Sequence, residues 1–412
     1  TLPAANNSFF YPSVSVSAVV TKMLKVQSNI LSFAKVRASW AEVGNDAPPY
    51  SLQQVYNPSG LYNGSVPKFA ENKNIANADL KPETTTGIEL GAELKFLKGR
   101  IGLDVTYYDQ STKDQILNVD ISRSTGYTSL TLNAGEITNK GIELMLMGTV
   151  LNMPFGLTWD LGLNFSRNRN EVVELAEGLT ALTLWTERGA SLEARVGQPY
   201  GNIYGNQFNR TEDGQLIFTN GFPSNKPGQH IIGNITHDWL GGITNSFRYK
   251  GFNLNVLIDI KAGGDIYDMG TSLARVTGVL EESGLAREEG TIGTGVKNTG
   301  TSDAPVYVAN DVVVPTRQFM GYYSGRQYHE AAVFDGSYVK LREASLSYTL
   351  PGRMFEDKFL KSVTLSVIGR NLAMLFKNTT HVDPEVSSAS LGYTYGQIPS
   401  TRSIGFNVNV KF

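Results

Sequence analysis

The sequence contains no cysteine, no long apolar run and no excess of charge of either sign. The lack of cysteine excludes disulfide bonds, thiolate catalysis and zinc–thiolate sites. A transmembrane helix needs about 20 consecutive, mainly apolar residues, and the sequence offers no such run. The net charge of -2 supplies no basic surface for nucleic acid. The chain opens with Thr1-Leu2-Pro3 and shows no signal peptide, so we expect a fragment of a longer exported precursor.

The sequence is rich instead in the alternation of apolar and polar residues. Its last segment places Ile404, Phe406, Val408, Val410 and Phe412 at every second position, with polar residues or glycine between them. Successive side chains of a strand point to opposite faces, so this strand has one apolar and one polar face. The pattern recurs at about ten residues per segment, the length of a transmembrane β-barrel strand. The 42 glycines, 19 tyrosines and 19 phenylalanines suit the turns and aromatic girdles of such a barrel.

Eleven segments show this alternation, and the sequence therefore predicts an all-β fold, a transmembrane antiparallel β-barrel with long extracellular loops. The apolar positions of each segment would face lipid, and the polar positions would face the lumen. The predicted strands are Ser13–Val20, Ala34–Trp40, Ile88–Phe96, Ile101–Tyr107, Ile142–Met147, Phe155–Phe165, Ile243–Tyr249, Phe252–Ile260, Glu343–Leu350, Val363–Val367 and Ile404–Phe412.

The connections between the predicted strands alternate in length. Short connections follow the odd-numbered strands, and two of them contain Lys98-Gly99 and Lys250-Gly251, which are typical of two-residue hairpin turns. Long connections follow the even-numbered strands, as in barrels whose tight turns face the periplasm. A soluble β-sandwich is the alternative fold, but it has no reason to sort its loops by length. The long segments are Gly44–Thr84, Gln110–Gly135, Arg167–Asp238, Lys261–Asp335 and Leu372–Ser400.

The odd number of predicted strands bears on whether this chain can close a barrel by itself. The first and the eleventh strand would run in the same direction, so an antiparallel sheet cannot close by pairing them. An unpaired edge in lipid would leave backbone hydrogen-bonding groups unsatisfied. We therefore predict that further strands, upstream of residue 1 or in another chain, complete the barrel.

Two of the long segments carry signs of local structure. Asp213-Gly214 is typical of a hairpin turn, because glycine tolerates a positive φ. Leu273, Val276 and Leu280 recur at helical spacing, which predicts a short helix.

Several stretches of the sequence resemble a known family. The segment Asp335-Gly-Ser-Tyr-Val-Lys-Leu-Arg-Glu-Ala-Ser-Leu-Ser-Tyr348 resembles the SYVKLRE strand of the SusC/RagA-type TonB-dependent outer-membrane transporters of Bacteroidetes. Further matches follow the order of that family to the end of the chain, which makes the resemblance specific. They are Asn77–Glu83, Asn139–Glu143, Val196–Tyr200, Ile232–Asn234, Gly369–Leu372, Asp383–Glu385 and Tyr395–Ser403.

This resemblance implies a barrel of about 22 strands, closed by an N-terminal plug and covered outside by a SusD-type lipoprotein. Residues 1–412 would be the C-terminal part of that barrel, without plug, TonB box or N-terminal barrel strands. The implied function is active, TonB-dependent import of a nutrient oligomer, a glycan or a peptide, across the bacterial outer membrane. The implied partners are the SusD-type lipoprotein, TonB acting through the absent N-terminal region, and outer-membrane lipid.

Aromatic residues of the long segments are the candidate cargo contacts, because rings can stack on sugars and pack on peptide side chains. The same rings could pack on neighbouring loops or on the lid protein. The candidates are Trp185, Tyr322, Tyr323, Tyr393 and Tyr395. Charged residues on the polar strand faces are expected to face the plug or ordered water. They are Lys35, Arg37, Glu89, Glu93, Asp104, Glu143, Asp160, Asp259, Glu343 and Lys411.

Nothing in the sequence suggests catalysis, a metal site or a cofactor. The four histidines have no metal-ligand spacing and are predicted to be loop surface residues: His230, His237, His329 and His381. Three other functions remain as alternatives. A siderophore or cobalamin receptor would lack the lid lipoprotein, a barrel enzyme would need a clustered catalytic set, and a surface adhesin would not need a wide barrel with charged inner faces.

Overall fold

The computed structural model describes residues 2–4, 6–325, 327–355, 359–388 and 391–412. Its main feature is an antiparallel sheet whose eleven strands are neighbours in chain order, which confirms the predicted number of strands within the described ranges. The strands are β1 (Ser13–Val19), β2 (Leu31–Asn45), β3 (Glu83–Phe96), β4 (Ile101–Lys113), β5 (Glu136–Asn152), β6 (Thr158–Glu174), β7 (His237–Tyr249), β8 (Phe252–Gly263), β9 (Tyr338–Thr349), β10 (Ser362–Lys377) and β11 (Ser403–Lys411).

The register of the sheet keeps apolar and polar residues in separate rows. Val36 lies opposite Ala92 of β3, and Ala92 lies opposite Val105 of β4. The adjacent row joins Arg37 to Gly91. A Cβ atom at Gly91 would lie 2.4 Å from Nε of Arg37, so the glycine leaves room for the arginine side chain. The same separation holds at the end of the chain, where Phe406, Val408 and Val410 of β11 lie opposite three apolar residues of β10, Val367, Leu365 and Val363.

The two predicted hairpin turns differ in the structure. Tyr249 pairs with Phe252, which leaves Lys250 and Gly251 as a two-residue turn with φ of 43° and 85°. This turn is confirmed, since a type I′ turn requires a positive φ at both central residues. The turn between the predicted strands Ile88–Phe96 and Ile101–Tyr107 is confirmed, with Lys98-Gly99 at its centre and not as a two-residue loop by itself. Phe96 pairs with Ile101, so the connection has four residues, of which Leu97, Lys98 and Gly99 have positive φ.

Aromatic pairs lie toward both ends of the β6–β7 pairing. The rings of Trp159 and Phe247 stack at 5.5 Å, and those of Phe165 and Trp239 lie 5.8 Å apart. Six residues of β-strand between Trp159 and Phe165 span about 20 Å, close to the height of the apolar band of an outer-membrane barrel. The predicted start of this strand at Phe155 is wrong, because a turn closed by the bond from N of Gly156 to O of Met153 precedes β6.

Several strands extend beyond their predicted ends. β6 continues to Glu174 and β10 to Lys377, so the long connections are shorter than expected. Backbone pairing satisfies N–H and C=O groups whether or not the side chains alternate, so alternation underestimates strand length. The long connections also contain strands that the sequence did not predict: Tyr56–Tyr62, Val66–Glu71, Asn74–Ile75, Ile116–Asp120, Ser129–Asn133, Ala181–Glu187, Ala190–Arg195, Asn202–Phe208, Ile217–Thr219, Phe222–Pro223, Asn225–Asn234, Asp265–Asp268, Thr291–Ile292, Val296–Asn298, Tyr307–Ala309, Val313–Val314, Val333–Asp335 and Tyr393–Thr394.

Short helices complete the secondary structure. The predicted helix is confirmed for Leu273 and Val276, whereas Leu280 lies beyond the αL cap at Gly278. The predicted hairpin at Asp213-Gly214 is also present, closed by a bridge between Arg210 and Leu216. No helix in the described ranges has the length and apolar character to cross a membrane. The helices are α1 (Val20–Met23), α2 (Met269–Thr277), α3 (Glu281–Gly284), α4 (Thr316–Tyr322), α5 (Pro384–Ser388) and the 3-10 turns Arg123–Thr125, His329–Ala332 and Gly352–Met354.

The chain divides into two compact units. Unit 1 comprises Thr1–Met145, Arg167–Leu182 and Ala194–Tyr200. Besides the first strands of the sheet it contains a small core, in which the fully buried Leu80 packs with Leu2. This core holds the start of the chain against the long connection between β2 and β3.

Unit 2 comprises Leu146–Ser166, Thr183–Glu193 and Gly201–Phe412. Two hydrophobic cores lie in its long connections. The first is centred on Leu192, Ile203, Tyr267 and Met269, all fully buried, and the second on Phe218, Val314 and Phe319. The long connections of this unit are therefore folded structures with their own cores.

Candidate functional site

Three of the five predicted cargo residues lie in one aromatic cluster, which we call the Trp185 group. The parallel pairing of Tyr267 with Tyr393 brings the strand Tyr393–Thr394 beside Trp185. The ring of Trp185 lies 5.6 Å from that of Tyr267 and 5.3 Å from that of Tyr393, and Tyr393 lies 6.4 Å from Tyr395. The indole Nε1 of Trp185 also donates to the carbonyl of Leu391 at 3.3 Å.

Exposure separates the members of the Trp185 group. Tyr267 is fully buried and its hydroxyl donates to the carbonyl of Gly325, whereas Trp185 and Tyr393 are half-buried and Tyr395 is 50% exposed. Burial, together with the nearby Glu187, raises the pKa of Tyr393 to about 12. The Tyr393 hydroxyl is therefore neutral at ordinary pH, and it hydrogen-bonds the carboxylate of Glu187. The sequence analysis missed Tyr267, the ring that joins the group to the core.

The other two predicted residues, Tyr322 and Tyr323, lie in a second cluster at the end of α4. We call it the Tyr322 group and define it as Phe208, Phe222, Phe319, Tyr322, Tyr323 and Tyr328. Tyr322 stacks on Phe222 at 4.6 Å, and Tyr323 packs between Phe208 at 5.2 Å and Phe319 at 5.0 Å. Tyr328 is buried, and its hydroxyl donates to the carbonyl of Pro223 at 2.7 Å.

A cavity of about 390 Å³ opens beside the Tyr322 group. Tyr322 and Phe222 form its aromatic wall, and Gln318, Ser324 and Gln327 supply polar groups. Tyr323 is not among the lining residues, and burial raises the pKa of its hydroxyl. The structure therefore gives Tyr322 a free surface, whereas Tyr323 packs inside the cluster.

His329 corrects the prediction that the histidines are surface residues, because only 3% of it is exposed. Its Nδ1 accepts from N of Asn206 at 2.9 Å, and its Nε2 donates to the carbonyl of Arg188 at 2.9 Å. Burial lowers the pKa of His329 below its ordinary value of 6.5. The neutral ring thus joins three segments of unit 2. Among the described residues, no group of His, Cys, Asp or Glu could hold a metal ion.

A second cavity, of about 410 Å³, lies on the polar strand faces of unit 1. Arg37 lies 2.7 Å from Asp104, and Tyr108 donates to Asn168 at 3.1 Å. The carboxylates of Glu89 and Glu143 also line the cavity. These residues form a polar, charged wall on the strand faces. That such faces meet the plug or ordered water stays a prediction.

Lys340 and Arg342 of β9 are charged residues that the sequence analysis left out. Arg342 is an extra residue in the sheet: Leu341 and Glu343 are paired with β8 and β10, while the register shifts between them. Such a bulge reverses the alternation of a strand. The sequence does contain a signal for this bulge. The apolar residues stand at odd-numbered positions at Val339 and Leu341 and at even-numbered positions from residue 344 onward.

Comparison with known proteins agrees with this architecture. The family described as TonB dependent receptor-like, beta-barrel matches residues 2–372. TonB-dependent receptor P3 of Formosa agariphila is 28% identical over 457 aligned positions, which cover 99% of this chain and 42% of that protein. TonB-dependent receptor P39 of the same organism is 27% identical, with 98% and 42% covered. The chain thus spans less than half the length of these curated relatives.

Solved structures show the same fold. The chain superposes on a chain of the RagAB peptide transporter with a TM-score of 0.75 and 18% identity, covering 100% of this chain and 44% of that chain. For the RagAB peptide importer in its open-open state the TM-score is 0.70, with 19% identity. The family match covers most of the chain. The chain therefore belongs to the TonB-dependent receptor β-barrel family of the bacterial outer membrane.

Proposed function

We propose that this chain is the C-terminal part of the barrel of a transporter that imports a nutrient oligomer, a glycan or a peptide, by a TonB-dependent mechanism. The observation that carries the proposal is the ordered structure of the long connections in unit 2. Ordering each residue costs about 1–2 kcal/mol of conformational entropy, so loops of this length need a core, and here they have two. Rigid loops that present aromatic rings suit the recognition of an oligomer.

The half-exposed rings are the proposed cargo contacts. Tyr395, together with the exposed edges of Trp185 and Tyr393, forms one surface, and Tyr322 forms a second beside its cavity. Tyr323 remains a weaker candidate because it packs between two phenylalanines. Sugars and peptide side chains both pack on rings flanked by amides and hydroxyls, so these surfaces are compatible with either class of cargo.

A SusD-type lipoprotein over the extracellular face is the proposed partner. In unit 1 the hairpin formed by Tyr56–Tyr62 and Val66–Glu71 exposes large apolar side chains, including Tyr62 at 65% and Phe69 at 60%. Contiguous exposed apolar surface of this kind is typical of a protein interface. TonB would act through a region outside these 412 residues.

The experiment is mild detergent extraction of the complete protein from its native membrane, followed by native mass spectrometry. We expect a complex with a lid lipoprotein that retains an oligosaccharide or a peptide, and identification of that cargo would name the substrate class. A barrel that is recovered alone with an iron chelate would instead support the siderophore receptor.

A further inference from the structure

The final loop between β10 and β11, described for residues 378–388 and 391–402, contacts the rest of unit 2 at several places. Its tip, Tyr393–Thr394, pairs with Asp265–Asp268 and carries two rings of the Trp185 group. A separate contact is made by Glu385 of α5 with two basic residues of β9. We define the clamp as Lys340, Arg342, Asp259 and Glu385.

The clamp is a hydrogen-bonded ion network. Nζ of Lys340 lies 2.5 Å from Oε2 of Glu385, and Nη1 of Arg342 lies 2.7 Å from Oε1 of the same carboxylate. The other side of the Arg342 guanidinium donates to Asp259 of β8. Lys340 also donates to Oγ of Ser400 at 2.8 Å, near the end of the final loop. One carboxylate of the loop is therefore held by two cations of the sheet.

Burial makes this network sensitive to the loss of one partner. Lys340 is only 3% exposed, so its charge depends on Glu385 and Ser400 for compensation. Although burial raises the pKa of Glu385, hydrogen bonds from Lys340 and Arg342 outweigh it and keep that pKa below 4.5. Removal of the Glu385 charge would leave the buried ammonium group of Lys340 without its ion-pair partner, which is strongly unfavourable.

The bulge at Arg342 makes the network possible. In a regular strand, without the bulge, Lys340 and Arg342 would share the apolar face of Ala344 and Leu346. With it, Lys340 lies opposite Asp259 in the register, and both basic residues reach Glu385. A bulge that re-aims side chains in this way is a common device beside functional sites.

We propose that Lys340, Arg342 and Glu385 are positioning residues, which hold the final loop so that Tyr393 and Tyr395 stay packed beside Trp185. The proposal rests on the proposed function for its consequence, because those rings are the proposed cargo surface. The clamp itself touches none of the three rings. The clamp therefore affects cargo binding indirectly, because it fixes the position of the final loop that carries two of the rings.

The test measures the position of the loop directly. Thr394 at the loop tip is 1% exposed, and these 412 residues contain no cysteine. With any cysteine elsewhere in the complete protein replaced by serine, Thr394→Cys reports loop release by its rate of maleimide labelling. In the complete protein, in outer-membrane preparations, we expect slow labelling with the clamp intact. Glu385→Gln, which keeps size but removes the charge, should raise the rate about tenfold or more.

A matched control separates the clamp from a general loss of charge pairs. Glu343 follows Arg342 in the same strand, but its side chain pairs with Arg370 of β10 at 3.0 Å, outside the clamp. Glu343→Gln should leave the labelling rate unchanged. Arg342→Lys, which keeps the charge but cannot bridge Asp259 and Glu385 with a planar fork, should raise the rate to an intermediate level.

Two results would overturn the proposal. One is an unchanged labelling rate in both Glu385→Gln and Arg342→Lys, measured on the membrane-inserted, heat-modifiable fraction. The other is a labelling rate in the double variant Lys340→Met, Glu385→Gln that rises by the full product of the two single-variant factors, which means strictly additive free energies, because direct partners should compensate each other. A smaller rise supports the clamp.

A measurement of retained cargo tests the clamp proposal and the proposed cargo surface separately. Co-purified cargo is quantified by mass spectrometry in the Glu385→Gln and Glu343→Gln proteins. Faster labelling with reduced cargo only in Glu385→Gln supports both proposals. Faster labelling with undiminished cargo supports the clamp as the loop anchor, and it removes the Trp185 group from the cargo surface.

Discussion

Among single residues, Tyr395 is the most informative candidate for cargo contact. It is half exposed at the edge of the Trp185 group, so its removal costs the core little. We expect Tyr395→Ala to weaken cargo binding by about 2- to 12-fold, the equivalent of about 0.5–1.5 kcal/mol for one aromatic contact. Equilibrium binding of the cargo identified from the native complex measures this effect. Tyr307→Ala, an exposed tyrosine outside both aromatic groups, is the control, and equal losses in the two variants would contradict the assignment.

The burial of a second residue, His329, predicts that the stability of the segments around it depends on pH. Because burial depresses its pKa below 6.5, the contribution of the neutral ring is fully present above pH 6.5. It is lost as the pH falls below 6.5 and through the depressed pKa, since the unfolded segment binds the proton more readily. Protonation of Nδ1 would also set an N–H group against N of Asn206. We expect the protection factors of the amides of Asn202–Phe208, which compare each exchange rate with its intrinsic rate at the same pH, to fall between about pH 7.5 and about pH 5.

The control for this prediction is His329→Gln, whose side chain gains no charge in that pH range. The protection factors of Asn202–Phe208 in this variant can be lower at every pH, but they should not fall further as the pH is lowered. An identical pH dependence in wild type and variant would assign the effect to another group.

At the scale of elements, the two faces of β11 should differ in their tolerance of charge. Val408 lies opposite Leu365 in the apolar row, and Asn409 lies opposite Thr364 in the polar row. We expect Val408→Arg to reduce the free energy of unfolding by about 2–4 kcal/mol if the position lies near the bilayer midplane. Asn409→Arg should cost much less. Urea unfolding in lipid vesicles measures both, and equal costs would refute the proposed orientation of the strand.

Also at this scale, the strands were more predictable than their connections. The apolar rows of β2, β3, β4 and β11 follow from alternation because lipid requires one apolar face along a whole strand. The strand Tyr393–Thr394 has no such signal, since its pairing with Asp265–Asp268 depends on contacts across more than a hundred residues of sequence. The bulge at Arg342 was predictable in part. The sequence shows that the apolar positions shift there from odd to even numbers, whereas the contact of Arg342 with Glu385 is seen only in the tertiary structure.

At the scale of the whole molecule, the resemblance to SusC/RagA-type TonB-dependent transporters is confirmed in family and in fold. The number of strands in the complete barrel stays a prediction, as does the need for strands from outside these residues. β1 and β11 stand at the two ends of the strand order, in accordance with that expectation.

The proposed lid predicts an extracellular interface larger than about 2,000 Å², in the range of obligate complexes. Within it, Phe69 of the exposed hairpin should be a strong contact, because apolar anchors dominate such interfaces. We expect Phe69→Asp to weaken lid association at least about tenfold, measured by native mass spectrometry of the extracted complex. Lys68→Asp in the same strand places the same charge at a polar position and should have a smaller effect. Full association of the Phe69→Asp protein would remove the hairpin from the interface.

The sequence alone determined the number of strands in the sheet and the apolar and polar rows of its regular strands, because these depend on a local rule of alternation. That the apolar rows face lipid stays a prediction. The sequence also named the loop aromatics, since long loops rich in rings are recognisable without their fold. Tertiary structure alone decided that Tyr267 buries the base of the Trp185 group and that His329 is a core residue. It also decided that Lys340 and Arg342 hold Glu385. The physical reason is that burial and pairing in these loops arise from contacts distant in sequence, which no local pattern encodes.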